Sequence, residues 1–507
     1  MSNTLSNTVS NHEPVIAGFF PDPSICRAGD TYVLVNSSFE YLPGLPVHTS
    51  TDLTTWTFAG NALTRVEQIA ESGGHPSSGM FAPTIRHHDG RYWIIGTDVN
   101  GIPAGRGHFL IHATDPAGPW SDPVHLPEAI GIDPDIAWDE HGTAHVTWCS
   151  LDPSQPGIRC APFDTATGAL LAPSRQLWSG TGLAAPEGPH LYRRDGWWYL
   201  LLAEGGTERG HTATIARART LEGSFEANPR NPFLTHRSLT HPVQNVGHAD
   251  LVELPDGRWA AVHLGVRNRG PSPGFHVNGR ETFLVGIDWV QGWPVVDEDR
   301  FDVPPADHAF HDRFTAADLH PRWLGAGRFP ASFARTGPDG LVLDAGGGRS
   351  LLAARATDET WTASTEVSLE DGSCRFLLRI DDRHWYGLTY DGHAVEAVLT
   401  IGPVQHTVGR WEPETDTPGT ATLGIRVTAP RSLAPGLFSE PDGVELLAGS
   451  NGSGGFAHSF GVFDGRYLST EVAGGFTGRV FGVEAVSGQT RVHAISYQPG
   501  DRTPPTP

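Results

Sequence analysis

The chain has 507 residues, a formal net charge of −22 at pH 7, 38% hydrophobic and 18% charged residues, the profile of a globular protein long enough for two domains. Its acidity excludes a nucleic-acid partner, because phosphate binding needs a basic face. The 35 basic residues are all arginine, and without lysine, Schiff-base chemistry, pyridoxal phosphate anchoring and P-loop phosphate binding are excluded too.

Residues 1–12 are polar and read as a flexible tail. They lack the basic n-region and apolar h-region of a signal peptide, and no apolar run approaches the roughly 18 residues of a membrane helix. A soluble, cytoplasmic protein without a membrane partner is expected. Cys26, Cys149, Cys160 and Cys374 are scattered without CxxC spacing. Reduced, partly buried thiols are therefore expected, Cys149–Cys160 being the pairing considered against them.

From residue 13 onward helical periodicity is almost absent. A turn glycine followed by a short aromatic-rich alternating run recurs instead, at Gly29, Gly90, Gly142, Gly196 and Gly257. Four of the five glycines follow Asp or His, as hairpin turns prefer. The period of about 50–60 residues is that of propeller blades of four strands. Thr51–Trp56, Gly118–Ser121 and Gly223–Phe225 read as outer strands of blades. The predicted fold is all-β: a five-bladed β-propeller over residues 13–305, a Pro-rich linker near Val303–Asp307, a β-sandwich over 306–499 with Asp-Gly and Gly-rich turns, and a flexible tail over 500–507.

Three acidic turns stand out: Pro21-Asp22-Pro23-Ser24, Ile132-Asp133-Pro134-Asp135 and Pro186-Glu187-Gly188-Pro189. In each, Pro or Gly stiffens the backbone around a carboxylate. Each lies just before a repeat, where an innermost strand belongs, so all three carboxylates are expected to face one axial pocket. Paired carboxylates suit general acid–base work, and this set is expected to surround a sugar and hydrolyse a glycosidic bond. Asp135 competes with Asp133 for its place.

These motifs resemble those of glycoside hydrolase family 43, in its two-domain β-xylosidase and α-L-arabinofuranosidase branch. The resemblance rests on Pro14–Arg27, Ser37–Gly44, Pro186–Pro189, Gly247–Asp250, Gly279–Leu284 and, at the start of an accessory concanavalin-like sandwich, Phe310–Phe314. It implies Asp22 as general base, Glu187 as general acid and Asp133 as the carboxylate that orients the acid and tunes its pKa. It implies inversion, with base and acid about 6.5–9.5 Å apart. Arg280 matches a sugar contact, Phe39 and Phe81 match aromatic walls, and Phe476 matches a sandwich-domain aromatic that reaches the site, with core packing as the alternative. Phe81 stands where relatives often carry Trp. His248 matches a channel histidine able to hold a divalent cation such as calcium; no other cofactor is expected. The activity implied is exo-acting release of β-D-xylose from xylo-oligosaccharides. α-L-Arabinofuranosidase activity, alone or alongside it, is the close alternative. A non-catalytic sugar-binding propeller is remote, and the retaining fructosidase type is disfavoured because Phe20-Pro21-Asp22-Pro23 is not an Asn-Asp-Pro-Asn turn. A small oligosaccharide is the expected partner, and the resemblance implies homo-oligomers.

Overall fold

The computed structural model describes residues 12–70, 75–270, 273–413, 419–430, 432–434, 438–450 and 455–500. The tails expected over 1–12 and 500–507 lie, apart from His12 and Gly500, outside the described residues. Between Ser24 and Asp297 the strands form five separate four-stranded sheets in chain order, the five blades of a propeller. The glycine-led runs are the second strand of each blade: Thr31–Val35, Arg91–Thr97, Ala144–Ser150, Trp197–Glu204 and Trp259–Arg267. Asp89-Gly90 and Asp195-Gly196 have positive φ at both residues, the type I′ hairpin turn whose twist matches its strands.

The expected outer strands are displaced. Thr51–Trp56, Gly118–Ser121 and Gly223–Phe225 are turns and irregular segments that lead into the outermost strands Thr57–Leu63, Val124–His125 and Glu226–Ala227. The first of them shows why. Asp52 Oδ1 accepts from the N–H groups of Thr54 and Thr55 at 2.8 and 2.7 Å, and a side chain that captures local N–H groups draws the backbone away from a ladder.

Apolar clusters fill the seams between blades. Val33, Ile85 and Phe109 pack between the first two, and Ile25, Leu34, Val262 and Leu284 between the last and the first. Each such buried side chain contributes roughly 1.5–3 kcal/mol. No strand is shared between blades five and one among the described residues, so polar contacts close the ring. Val15 and Ile16 pair with Thr282. Glu281 accepts from Gly18 N at 2.7 Å and from Arg267 at 2.7 and 2.8 Å. Asp250 of blade five accepts from Ser24 Oγ and Ile25 N of blade one at 2.6 and 2.9 Å.

One arginine plugs the axis. Arg86, on the first strand of blade two, donates to Asp250 of blade five at 2.7 Å and to Asp135 of blade three at 2.8 Å. It also meets His190 Nδ1 of blade four at 3.1 Å. Tyr192 O–H closes on the other oxygen of Asp250. One cation thus neutralises two buried carboxylates and joins four blades.

The sandwich consists of two eight-stranded sheets over an apolar core containing Trp323, Trp361, Phe376 and Phe481. One sheet continues into the propeller: Tyr41–Leu42 of blade one pairs with Leu324–Ala326. Phe19, Phe39 and Tyr41 meet Leu377, Trp385 and Val480 at the junction. Asp442 of the sandwich is buried between Arg269 of the propeller and Arg479. Gly478 lies so close to the propeller that a Cβ would stand 2.3 Å from Asn278 O; only glycine permits this approach.

Arg86→Ala would leave Asp135 and Asp250 facing each other without a counter-charge. Removing one partner of a buried ion pair costs about 3–5 kcal/mol, so denaturant melts should show a markedly lower propeller midpoint. An unchanged midpoint would show that Arg86 does not hold the ring.

Candidate active site

The pit above the Arg86 plug is built by one repeated turn. Asp22-Pro23-Ser24, Asp133-Pro134-Asp135, Gly188-Pro189-His190 and His248-Ala249-Asp250 each place their first residue in left-handed backbone, with φ of 53, 54, 57 and 45°. Ala82-Pro83-Thr84 is the blade-two counterpart. In blades three, four and five the strand register shifts at this turn, which is a β-bulge that re-aims a side chain. The third residues, Ser24, Thr84, Asp135, His190 and Asp250, face the plug. The first residues, Asp22, Asp133 and His248, are left to the pit. Side chains other than Gly are uncommon at such φ and mark functional sites. At position 188 a Cβ would stand 2.9 Å from His248 Nε2, which restricts that turn to glycine and leaves its acid on Glu187.

Asp22 is buried among cationic and polar donors. Ser37 Oγ donates to Oδ2 at 2.6 Å, and Arg280 Nη1 donates to Oδ1 at 2.8 Å. His248 Nδ1 lies 3.6 Å from Oδ1. Burial works to raise its pKa, but Arg280, His248 and the Ser37 hydroxyl overcome it and hold the carboxyl below its usual range. These bonds use only part of its acceptor capacity, so the ionised carboxylate can still take a proton from water. His248 itself is pushed down to about 4, mainly by burial.

Glu187 and Asp133 behave in the opposite way. Burial, and then the charge of Asp22, raises Glu187 to about 7 against the pull of Arg280. Burial, then Glu187 and Asp22, raises Asp133 well above the carboxylate range. The two titrate as a unit that keeps one proton up to neutral pH. Gly188 N–H donates to Asp133 Oδ2 at 3.2 Å, a bond that opposes the rise of Asp133 without cancelling it. Asp135, the rival of Asp133, is committed to Arg86.

Three phenyl rings line the pit. Phe39, Phe81 and Phe476 have centroids 5.4, 5.7 and 5.8 Å apart. The Arg280 guanidinium sits over Phe39 and Phe476 at 5.6 and 5.5 Å. Its Nη2 donates to Phe476 O at 3.3 Å, while its Nε is buried without a partner among the described residues. Phe476 N donates to Ser77 Oγ at 2.8 Å, so a sandwich loop is fastened across the propeller rim. The structure thus brings Asp22, Asp133, Glu187, Arg280 and His248 into one electrostatic cluster, with the Phe39, Phe81 and Phe476 rings packed beside Arg280.

Several contributors went unnoticed in the sequence. Arg86, Ser37 and Thr207 are among them; Thr207 Oγ1 lies 3.1 Å from Arg280. His211 is another, with Nδ1 on Asn245 O at 2.9 Å and Nε2 without a partner among the described residues. The third-residue register of the repeated turn was the available signal for the plug layer. All four cysteines are free, as expected. Cys149 borders the acid pair, but burial, then Asp133 and Glu187, pushes its thiol up to about 12, so it is no nucleophile at neutral pH.

The channel does not fit calcium. A hard divalent ion needs several oxygen ligands, and the carboxylates at channel depth, Asp135 and Asp250, already face the Arg86 charge. His248 offers one neutral imidazole beside Asp22, whose Oδ1 is taken by Arg280.

The family profile described as "Glycosyl hydrolases family 43" matches residues 11–294. A xylosidase/arabinosidase of Butyrivibrio fibrisolvens is 42% identical over 61% of this chain and 61% of its own length. A non-reducing end alpha-L-arabinofuranosidase of Bacteroides ovatus is 33% identical over 98% of this chain and 95% of its own. The crystal structure of a xylan beta-1,4-xylosidase from Bacillus halodurans superposes with a TM-score of 0.84 at 26% identity, covering 96% of this chain and 99% of that one. The chain spans less than two thirds of the first of these relatives and nearly all of the other two. With the propeller, the three acidic turns and the full-length match in agreement, the chain belongs to glycosyl hydrolase family 43.

Proposed function

We propose that the enzyme is an exo-acting, inverting glycosidase that releases a pentose, β-D-xylose, from the non-reducing end of short oligosaccharides. α-L-Arabinofuranose is the second sugar it accepts. The observation that carries this reading is the opposite electrostatic treatment of two carboxylates in one pit: Asp22 held ionised, Glu187 held protonated. The names of the relatives support pentose. The pit supports exo action, because Arg86 plugs its floor and the Phe476 loop crosses its rim.

In this reading the terminal sugar lies against the Phe39, Phe81 and Phe476 rings, which offer apolar faces to its C–H surface. Arg280 Nε and His211 Nε2 supply polar atoms for its hydroxyls. Asp22 takes a proton from a water that attacks the anomeric carbon. Glu187 gives its proton to the departing glycosidic oxygen, and Asp133, bonded to Gly188 N, keeps that proton on Glu187 until it is needed. The charge that builds on the ring carbon is met by two carboxylates, and the reaction asks for no cofactor and no channel cation. The four free cysteines support a cytoplasmic setting as part of the proposal, and self-association rests on the family resemblance.

Both aryl β-D-xylosides and aryl α-L-arabinofuranosides should be hydrolysed, and failure on both would overturn the sugar assignment. Asp22→Asn should lower kcat by about 10²–10⁴-fold on every substrate. Glu187→Gln should do so for xylobiose but far less for dinitrophenyl glycosides, whose leaving group needs no proton. Equal losses on both leaving groups would contradict Glu187 as the acid.

The pH profile follows from the same charges. Glu187 works protonated, and its proton is present below about 7. Asp22 works ionised, and its lowered pKa keeps it so through mildly acid pH. kcat/KM should be flat in mildly acid solution and fall as pH rises through about 7. Asp133→Asn removes one member of the pair that titrates as a unit, so the alkaline limb should shift; a limb that stays in place would contradict the role given to Asp133.

A further inference from the structure

Outside the pit, His236, His241 and Glu298 bring three ligating atoms within 4.8 Å of one another. His236 and His241 lie in the loop before the first strand of blade five, Val243–Glu253, and Glu298 follows its last strand, Trp293–Asp297. His236 Nε2 is 3.0 Å from Glu298 Oε1, and His241 Nε2 is 3.8 Å from Oε2. Ligands held about 2.0–2.2 Å from a tetrahedral zinc ion stand about 3.4 Å from one another, so the group needs only small shifts to enclose one.

The outer contacts suit a metal. His236 Nδ1 is 2.8 Å from Val243 O, and His241 Nδ1 is 3.0 Å from the same oxygen. The Val243 carbonyl fits a proton on His236 Nδ1, which turns the Nε2 lone pair of that ring toward Glu298, while His241 Nδ1 also accepts from Val243 N–H at 3.1 Å. A carbonyl that fixes the tautomer and ring angle is the usual support behind metal-bound histidine. Two imidazoles and one carboxylate favour zinc over calcium, which prefers all-oxygen sets. Both histidines are largely shielded from solvent while Glu298 is accessible, so an ion has a path in.

We propose that His236, His241 and Glu298 form a zinc site that fastens the seam between blade five and the N-terminal segment. His12 stands edge-on to His241, with ring centroids 4.4 Å apart. A few residues later Val15 and Ile16 pair with Thr282, in the contacts that close the propeller. Zinc here ties the loop before blade five to the end of that blade, beside this segment.

The test uses the full chain, treated with a chelator, dialysed and titrated with zinc chloride or calcium chloride. Zinc should bind with a stoichiometry near one and raise the thermal midpoint by about 5 °C at saturation, whereas calcium should do neither. Glu298→Gln, which keeps the shape of the side chain, and His241→Asn should each weaken zinc binding at least tenfold and abolish the shift, with hydrolysis of aryl xyloside by the metal-free proteins unchanged. Absence of zinc uptake by the parent protein, or equal uptake and equal midpoint shifts in both variants, would overturn the proposal. So would a calcium response equal to that of zinc.

Discussion

Everything at the active site depends on a backbone constraint: a left-handed residue followed by proline or alanine at the head of an inner strand. That turn breaks strand alternation, sending its first side chain into the pit and its third toward the axis. Asp22 with Ser24, Asp133 with Asp135 and His248 with Asp250 are three instances. Catalytic and structural charges are thereby sorted by two positions of sequence. The lower layer condenses on Arg86, and the upper layer is free to do chemistry. Without the plug, the axis would hold five carboxylates in two layers with little to offset them.

The upper layer is then sorted a second time, by partners. Asp22 and Glu187 are both acids in one shielded pit, and burial pushes both toward the neutral form. Arg280 is the deciding neighbour. It donates directly to Asp22 and opposes the rise of Glu187 without cancelling it. Arg280 is itself held by Phe476 O and by the Phe39 and Phe476 rings, so the sandwich helps set the charge state of Asp22. The second domain is in this sense part of the site, and Asp442 with Arg269 and Arg479 anchors it there.

Much of this was legible in the sequence. Glycine-led aromatic runs marked the second strand of every blade because each of these turns ends on a glycine at positive φ, and the Pro-flanked carboxylates marked the pit because rigid turns are rare without a reason. Asp133 could not be separated from Asp135 on the same grounds, since both flank Pro134; only the bulge decides which faces the pit. The outer strands were misplaced because Asp52 and its like make local bonds that imitate strand punctuation. Arg86 was hidden because its meaning depends on four blades meeting, which no local pattern records. The calcium suggested by His248 failed for the same reason: the ion's place is contested by a cation 162 residues earlier in the chain.

On the roles proposed for Asp22 and Glu187, water, not Asp22, is the group that attacks the sugar. Proton NMR of the first sugar released from an aryl β-D-xyloside tests this most directly. The account predicts that α-xylose appears first and then mutarotates. Initial release of β-xylose would mean two successive displacements through a covalent intermediate, and would contradict the role assigned to Asp22.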